Sequence, residues 1–148
     1  MNRGYFGIGI FTPKTVTNVG TLWRSAFQLG ATFIFTIGKR YPRQASDTVK
    51  AWKHVPLFEY SDFNDFNNHR PNDCPLVGIE MGGKEIENYC HPERAIYLLG
   101  AEDNGLPKSI MSECQAVLSI PTVRIESFNV AVAGSIIMFD RLIKRGVK

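Results

Sequence analysis

The sequence predicts one α/β domain spanning residues 1–148, a mainly parallel sheet flanked by helices. Two observations carry that expectation. Apolar runs with strand character alternate with segments of helical period, the order that builds a parallel sheet through crossover helices. A length of 148 residues, 44% of them hydrophobic, supports one sizeable core and leaves no room for a second. The chain carries no repeat, low-complexity tract or linker.

Each element has its own signal. Tyr5 to Phe11 reads as the first strand. Asn18 then serves as N-cap of a helix in which Val19, Leu22, Trp23, Ala26 and Phe27 recur at helical spacing, with Thr21, Arg24, Ser25 and Gln28 on the other face and Gly30 as its stop. Phe33 to Ile37 follows as a strand. Between Gly38 and Pro56, Lys39, Arg40, Arg43, Lys50, Lys53 and His54 interleave with Tyr41 and Trp52 without a clean period, so this stretch is expected to be mostly loop with a short helix. A second short helix is expected from Asp62 to Asn68, and central strands at Leu76 to Glu80 and Ala95 to Leu99. Pro107 to Cys114 reads as a helix with proline in its first turn, Val117 to Ile120 as the last strand, and Ser127 to Lys144 as a long closing helix.

That closing helix is apolar nearly all round, from Val130 through Phe139. A helix covering one side of a single core carries a polar stripe. Either the domain buries this one completely or a second subunit covers part of it, and in so short a chain the second alternative, a homodimer, is favoured.

The 17 Lys and Arg against 14 Asp and Glu leave a net charge of +3, which permits contact with phosphates without pointing to nucleic acid by itself. Cys74, Cys90 and Cys114 lack the close pairing of a zinc or redox site and read as reduced thiols of a cytoplasmic protein. No apolar run approaches the about 20 residues that span a bilayer, and no signal-peptide pattern opens the chain, so neither membrane nor metal is expected as a partner.

Ligands of open α/β sheets bind beyond the carboxyl ends of the strands. Three segments fall there: Asn18-Val19-Gly20-Thr21-Leu22-Trp23-Arg24; Leu98 to Pro107, with Gly100, Glu102, Asp103 and Gly105; and Ile120-Pro121 leading to Ser127-Phe128-Asn129-Val130-Ala131-Val132-Ala133. Taken singly, each also has a plain explanation. Asn18, Ser127 and Asn129 can cap helices, Arg24 can be a surface charge, and the glycines can be ordinary turn residues. Gly7-Ile8-Gly9 lacks the third glycine and following helix of a dinucleotide fingerprint.

In combination and order, N-V-G-x-x-x-R, L-G-x-E-x-x-G-L-P and I-P before S-F-N-V-A-V-A resemble the SpoU-type RNA 2′-O-ribose methyltransferases of the SPOUT superfamily, over about Asn18 to Arg141. Phe128 stands where that family more often has Leu, Ala131 where it has Ser, and Thr122-Val123-Arg124-Ile125-Glu126 replaces a glycine-bearing stretch. The resemblance implies a C-terminal deep trefoil knot, against the usual rule that chains do not thread loops. It implies S-adenosylmethionine as cofactor, held in the knot by Ile79, Glu80, Leu99, Gly100, Gly105, Ile120, Ser127 and Phe128. It also implies that Arg24 acts at the reacting hydroxyl, with Asn18, Glu102, Ser127 and Asn129 around it. A guanidinium is protonated at any ordinary pH, so Arg24 is expected to clamp charge rather than act as a base. Lys39, Arg40, Arg43, Lys50 and Lys53 are the expected RNA contacts, with Tyr41 or Trp52 stacking on an unpaired base. A minimal domain suits a compact tRNA arm better than a ribosomal site, and no metal is needed. The departures leave a rival, a knotted RNA-binding module without catalysis, which cofactor binding separates. A nucleotide-binding enzyme of ordinary doubly wound fold is a third reading that the missing phosphate loop disfavours.

Overall fold

Strand β1 (Tyr5–Phe11) sorts its side chains to two faces by alternation. Phe6, Ile8 and Ile10 point to one face and are at most 5% exposed. Gly7 and Gly9 point to the other, where rings from the neighbouring strand occupy the space: a Cβ on Gly7 would fall 2.2 Å from Phe33 Cζ, and one on Gly9 2.4 Å from Phe35. The Gly7-Ile8-Gly9 run thus serves packing.

The computed structural model describes residues 4–38, 50–100 and 103–146. After β1 come α1 (Val16–Leu29), β2 (Phe33–Ile37), β3 (Leu57–Tyr60), α2 (Phe63–His69), β4 (Leu76–Glu85), β5 (Arg94–Leu99), α3 (Lys108–Met111), β6 (Ala116–Ser119) and α4 (Val130–Arg145), with 3₁₀ turns at Ala51–Lys53 and Ile86–Asn88. The strands form one sheet in the order β3-β2-β1-β5-β4-β6. Every neighbouring pair is parallel, which bears out the α/β expectation. On one face Ile8, Ile10, Ile34, Val77, Tyr97 and Leu99 lie beneath α1 and α4. On the other, Phe35, Ile37, Leu76, Ile96 and Leu98 pack with Phe66 of α2 and Ile110 of α3. Burying each such aliphatic side chain contributes roughly 1.5–3 kcal/mol, so both faces hold the sheet.

Several boundaries differ from the sequence expectations. The N-cap of α1 is Thr15, extended at φ −122° and accepting the amide of Asn18, so Asn18 sits inside the first turn and is buried. Three polar residues compete for that cap, and only the tertiary contact of Asn18 described below separates them. The closing helix begins at Val130 with Asn129 as its cap, leaving Ser127 and Phe128 outside it. The helix after Pro107 spans only Lys108–Met111 before tighter turns at Glu113 and Cys114. Strand β3 was not expected; it is a four-residue edge strand with Phe58 and Glu59 exposed, so it lacks the continuous apolar run of a central strand. Strand β4 runs five residues beyond Glu80, past a register shift between Ile79 and Lys84.

Candidate active site

The carboxyl end of β5 and the middle of β4, at its register shift, open into a cleft of about 280 Å³. Ile79 and Leu99 are the last core residues of the two strands and form its floor. The irregular pairing of β4 turns Glu80 and Met81 toward it. Its far wall is the loop holding Asp103, Asn104 and Gly105, and Ser127, Phe128, Val130 and Ala133 close the remaining side.

Two features set the shape of that loop. A Cβ on Gly100 would fall 2.5 Å from the carbonyl carbon of Gly105, so the two backbone segments touch directly. Gly105 has a left-handed φ of +62°, and a Cβ there would fall 2.3 Å from the Glu80 carboxylate. That carboxylate accepts the amide of Leu106 at 2.8 Å and that of Met81 at 3.2 Å. Glu80 therefore braces the glycine loop as well as lining the cleft.

The rim is joined to α1 through an asparagine pair. Asn129 Oδ1 accepts the amides of Ala131 at 2.9 Å and Val132 at 3.2 Å, capping α4. Its Nδ2 donates to Asn18 Oδ1 at 3.0 Å, across 111 residues of sequence. One side chain thus satisfies two orphan amides of a helix start and ties the first turn of α1 to it.

Of the residues singled out from the sequence, Ile79, Glu80, Leu99, Gly100, Gly105, Ser127 and Phe128 line the cleft together. Ile120 does not; it is half-buried against the core on the α1/α4 side. Asn18 and Asn129 meet at the rim. Arg24 is exposed on α1 and is not among the cleft-lining residues. Lys50 and Lys53 are exposed, with Lys53 Nζ 5.4 Å from the Trp52 ring centre. Lys39, Arg40, Arg43, Tyr41 and Glu102 lie outside the described residues. Asp103, Asn104, Val130 and Ala133 fall within the candidate segments but were not assigned to the cofactor, and Met81 lay outside those segments. Val130 and Ala133 are three apart in the first turn of α4 and share a face, a spacing that could have indicated them once the helix start was known.

A second cleft of about 320 Å³ lies at the opposite ends of the strands, among Tyr5, Phe6, Gly30, Leu142 and Arg145. The C-termini of α1 and α4 border it. Parallel sheets place their ligands at the other edge. Among the described residues, no cluster of His, Cys, Asp and Glu is arranged to hold a metal ion, and no helix is long and apolar enough to cross a membrane.

The model of the SpoU rRNA Methylase family matches residues 6–139. The chain belongs to that family. A relative from Mus musculus, "tRNA (guanosine(18)-2'-O)-methyltransferase TARBP1", is 24% identical over 84% of this chain but only 8% of its own length. The SpoU methyltransferase AviRb from Streptomyces viridochromogenes, solved in complex with the cofactor AdoMet, superposes with a TM-score of 0.84 at 21% identity, over 99% of this chain and 61% of that one. A structure described as giving insight into "the 2-OH methylation of C/U34 on tRNA" has a TM-score of 0.83 at 21% identity and covers 96% of this chain and 97% of its own. The shared fold extends over nearly the whole chain, while the mouse relative and AviRb are longer proteins.

Proposed function

We propose that this chain methylates a ribose 2′-hydroxyl of RNA with S-adenosylmethionine as donor, that tRNA is its preferred substrate, and that it works as a homodimer. The observation carrying this reading is the cleft between the end of β5 and the register shift of β4, walled by the touching backbones of Gly100 and Gly105 and tied at its rim to α1 by the Asn18–Asn129 hydrogen bond. The cleft fits the cofactor's chemistry: Ile79, Leu99, Phe128 and Val130 offer apolar surface to an adenine, and the glycine loop allows close approach to backbone groups. When bound, S-adenosylmethionine supplies a methyl group already activated on a sulfonium, whose leaving group is a neutral thioether.

The chain's own task is to align the hydroxyl and give its proton a route, and alignment alone can supply roughly 7–11 kcal/mol. Ser127 and Asn129 hold the rim and orient the groups beside it. Arg24, with its planar fork of donors, grips the phosphate next to the reacting ribose and stabilises developing alkoxide charge, while the proton passes to that phosphate, to Glu102 or to water. Lys50 and Lys53, with Lys39, Arg40 and Arg43, track the RNA backbone. The tRNA preference draws support from the relatives named for tRNA positions 18 and 34.

The homodimer draws support from α4. Its residues Val132, Phe139 and Ile143 recur at i, i+7 and i+11 and are 45%, 55% and 61% exposed. The helix therefore carries one apolar face for the core and another for a second copy. Since Arg24 does not line the cleft of its own protomer, that second copy offers it a route to a reacting ribose. A trefoil knot belongs to the same reading, supported by the path of residues 120–129 from edge strand β6 to the cleft.

The test is methyl transfer from labelled S-adenosylmethionine to tRNA and rRNA of a strain lacking the gene, followed by mass-spectrometric nucleoside mapping. A 2′-O-methylated nucleoside appearing in tRNA is the expected result. Failure to bind S-adenosylmethionine in calorimetry would instead make the chain a knotted RNA-binding module without catalysis.

A further inference from the structure

The connection from β1 to α1 is only four residues long, and three of them are held. Thr12 adopts φ +46°, the left-handed region that a β-branched residue rarely enters. Its amide donates to Ile37 O at 2.7 Å, which locks the turn to the end of β2. Pro13 is buried with its φ restricted by the ring, and Thr15 caps α1. Lys14 stands between them with an exposed side chain. Strain of this kind persists where the surroundings dictate it, and it clusters at working sites.

Lys14 forms an ion pair with Asp103, one of the residues lining the cleft. The two side chains are 46% and 61% exposed, so the pair is screened by solvent and contributes little to stability. It links the turn that precedes Asn18 to the glycine loop at a residue that lines the cleft. A ribose brought to the cleft must enter along its rim with its flanking phosphates. A backbone phosphate carries the same single charge as the carboxylate, but RNA presents it within a run of phosphates whose condensed counterions are released on binding, and the exposed, solvent-screened pair yields to that field.

We propose that Lys14 binds RNA: its ammonium, kept beside the cleft by Asp103, exchanges that carboxylate for a backbone phosphate beside the acceptor ribose. This rests on the ribose-methyltransferase reading above. In it Asp103 acts on the substrate through Lys14, as a counter-ion that competes with RNA.

The experiment compares the full chain with Lys14→Ala, Lys14→Arg and Asp103→Asn, measuring tRNA affinity across a salt series and S-adenosylmethionine affinity by calorimetry. Lys14→Ala is expected to weaken RNA binding about tenfold at low salt and to reduce the slope of log affinity against log salt by about one. Lys14→Arg restores most of both. Asp103→Asn is expected to tighten RNA binding about two- to threefold, because an exposed pair of this kind is worth no more than that in affinity. An unchanged salt slope in Lys14→Ala, or weaker RNA binding in Asp103→Asn, overturns the proposal. Loss of cofactor affinity in Lys14→Ala without a change in slope also overturns it and makes the pair a brace of the glycine loop. Absence of RNA binding by the unmodified chain overturns this proposal and the methyltransferase reading together, whereas the preceding outcomes leave that reading standing.

Discussion

Asn129 shows how much one side chain can settle. Its carboxamide oxygen accepts two amides at the start of α4 while its nitrogen donates to Asn18. Asn129→Ala removes all three bonds and should lower unfolding free energy by about 1–2 kcal/mol, measurable as a shift in denaturant midpoint. Asn129→Asp keeps the acceptor, and a negative charge suits a helix start, but the donor to Asn18 is gone. It should therefore retain near-normal stability and lose methyl transfer, which isolates the asparagine pair from the cap. Gly105→Ala forces a side chain into a left-handed backbone and against Glu80, so the glycine loop must move. Calorimetry should find S-adenosylmethionine affinity reduced at least about tenfold, the equivalent of a 1.4 kcal/mol change. At Arg24, substitution by Lys keeps the charge without the planar fork and should abolish most turnover; near-normal rates in a methyl-transfer assay would remove its proposed role.

At the scale of elements, α4 is fastened to the sheet by a polar chain far from the cleft. Buried Arg141 lies 5.0 Å from the ring centre of Phe6 and donates to the carbonyls of Pro92 and Glu93, and to Tyr97 Oη at 3.0 Å. Tyr97, its phenol pushed up to about 12 by burial, passes the chain to His91 Nδ1 at 2.7 Å. His91 Nε2 meets Asp140 at 2.7 Å. With Nδ1 accepting from the phenol and Nε2 donating to the carboxylate, the neutral imidazole satisfies every partner. Burial lowers the pKa of His91, outweighing the Asp140 carboxylate that raises it, and the charges of Arg141 and Lys144 lower it further. The folded protein thus takes up a proton on His91 less readily than the unfolded chain does. This contribution is fully present above the ordinary value of 6.5 and is lost as pH falls from there toward the lowered value. Thermal midpoints should decline between neutral and mildly acidic pH, and His91→Gln should flatten that part of the profile.

For the whole molecule, the question is what covers the outer face of α4. Replacing Phe139 and Ile143 together with Glu places two charges on that face while leaving buried Ile137 and Met138 untouched. Sedimentation should then report a folded monomer in place of a dimer. If the unmodified chain already sediments as a monomer, the homodimer falls. Loss of methyl transfer on dissociation would further support Arg24 reaching the cleft of the second copy.

Much of this was legible in the residues themselves. Period and turn signals located β1 and β2 to the residue, and the order of elements foretold a parallel sheet, because alternation and helical spacing are local consequences of backbone geometry. Three ordered motifs led to the family and to most of the cleft's lining. What they could not place were features that depend on neighbours distant in sequence. Edge strand β3 exists because β2 pairs with it, and the caps at Thr15 and Asn129 are singled out among several polar candidates by where the folded chain puts Asn18. The entry of Met81 into the cleft accompanies the irregular pairing of β4 with β6. Local propensity carried class and element; the chance meeting of side chains across the sheet, which no local pattern encodes, decided the site.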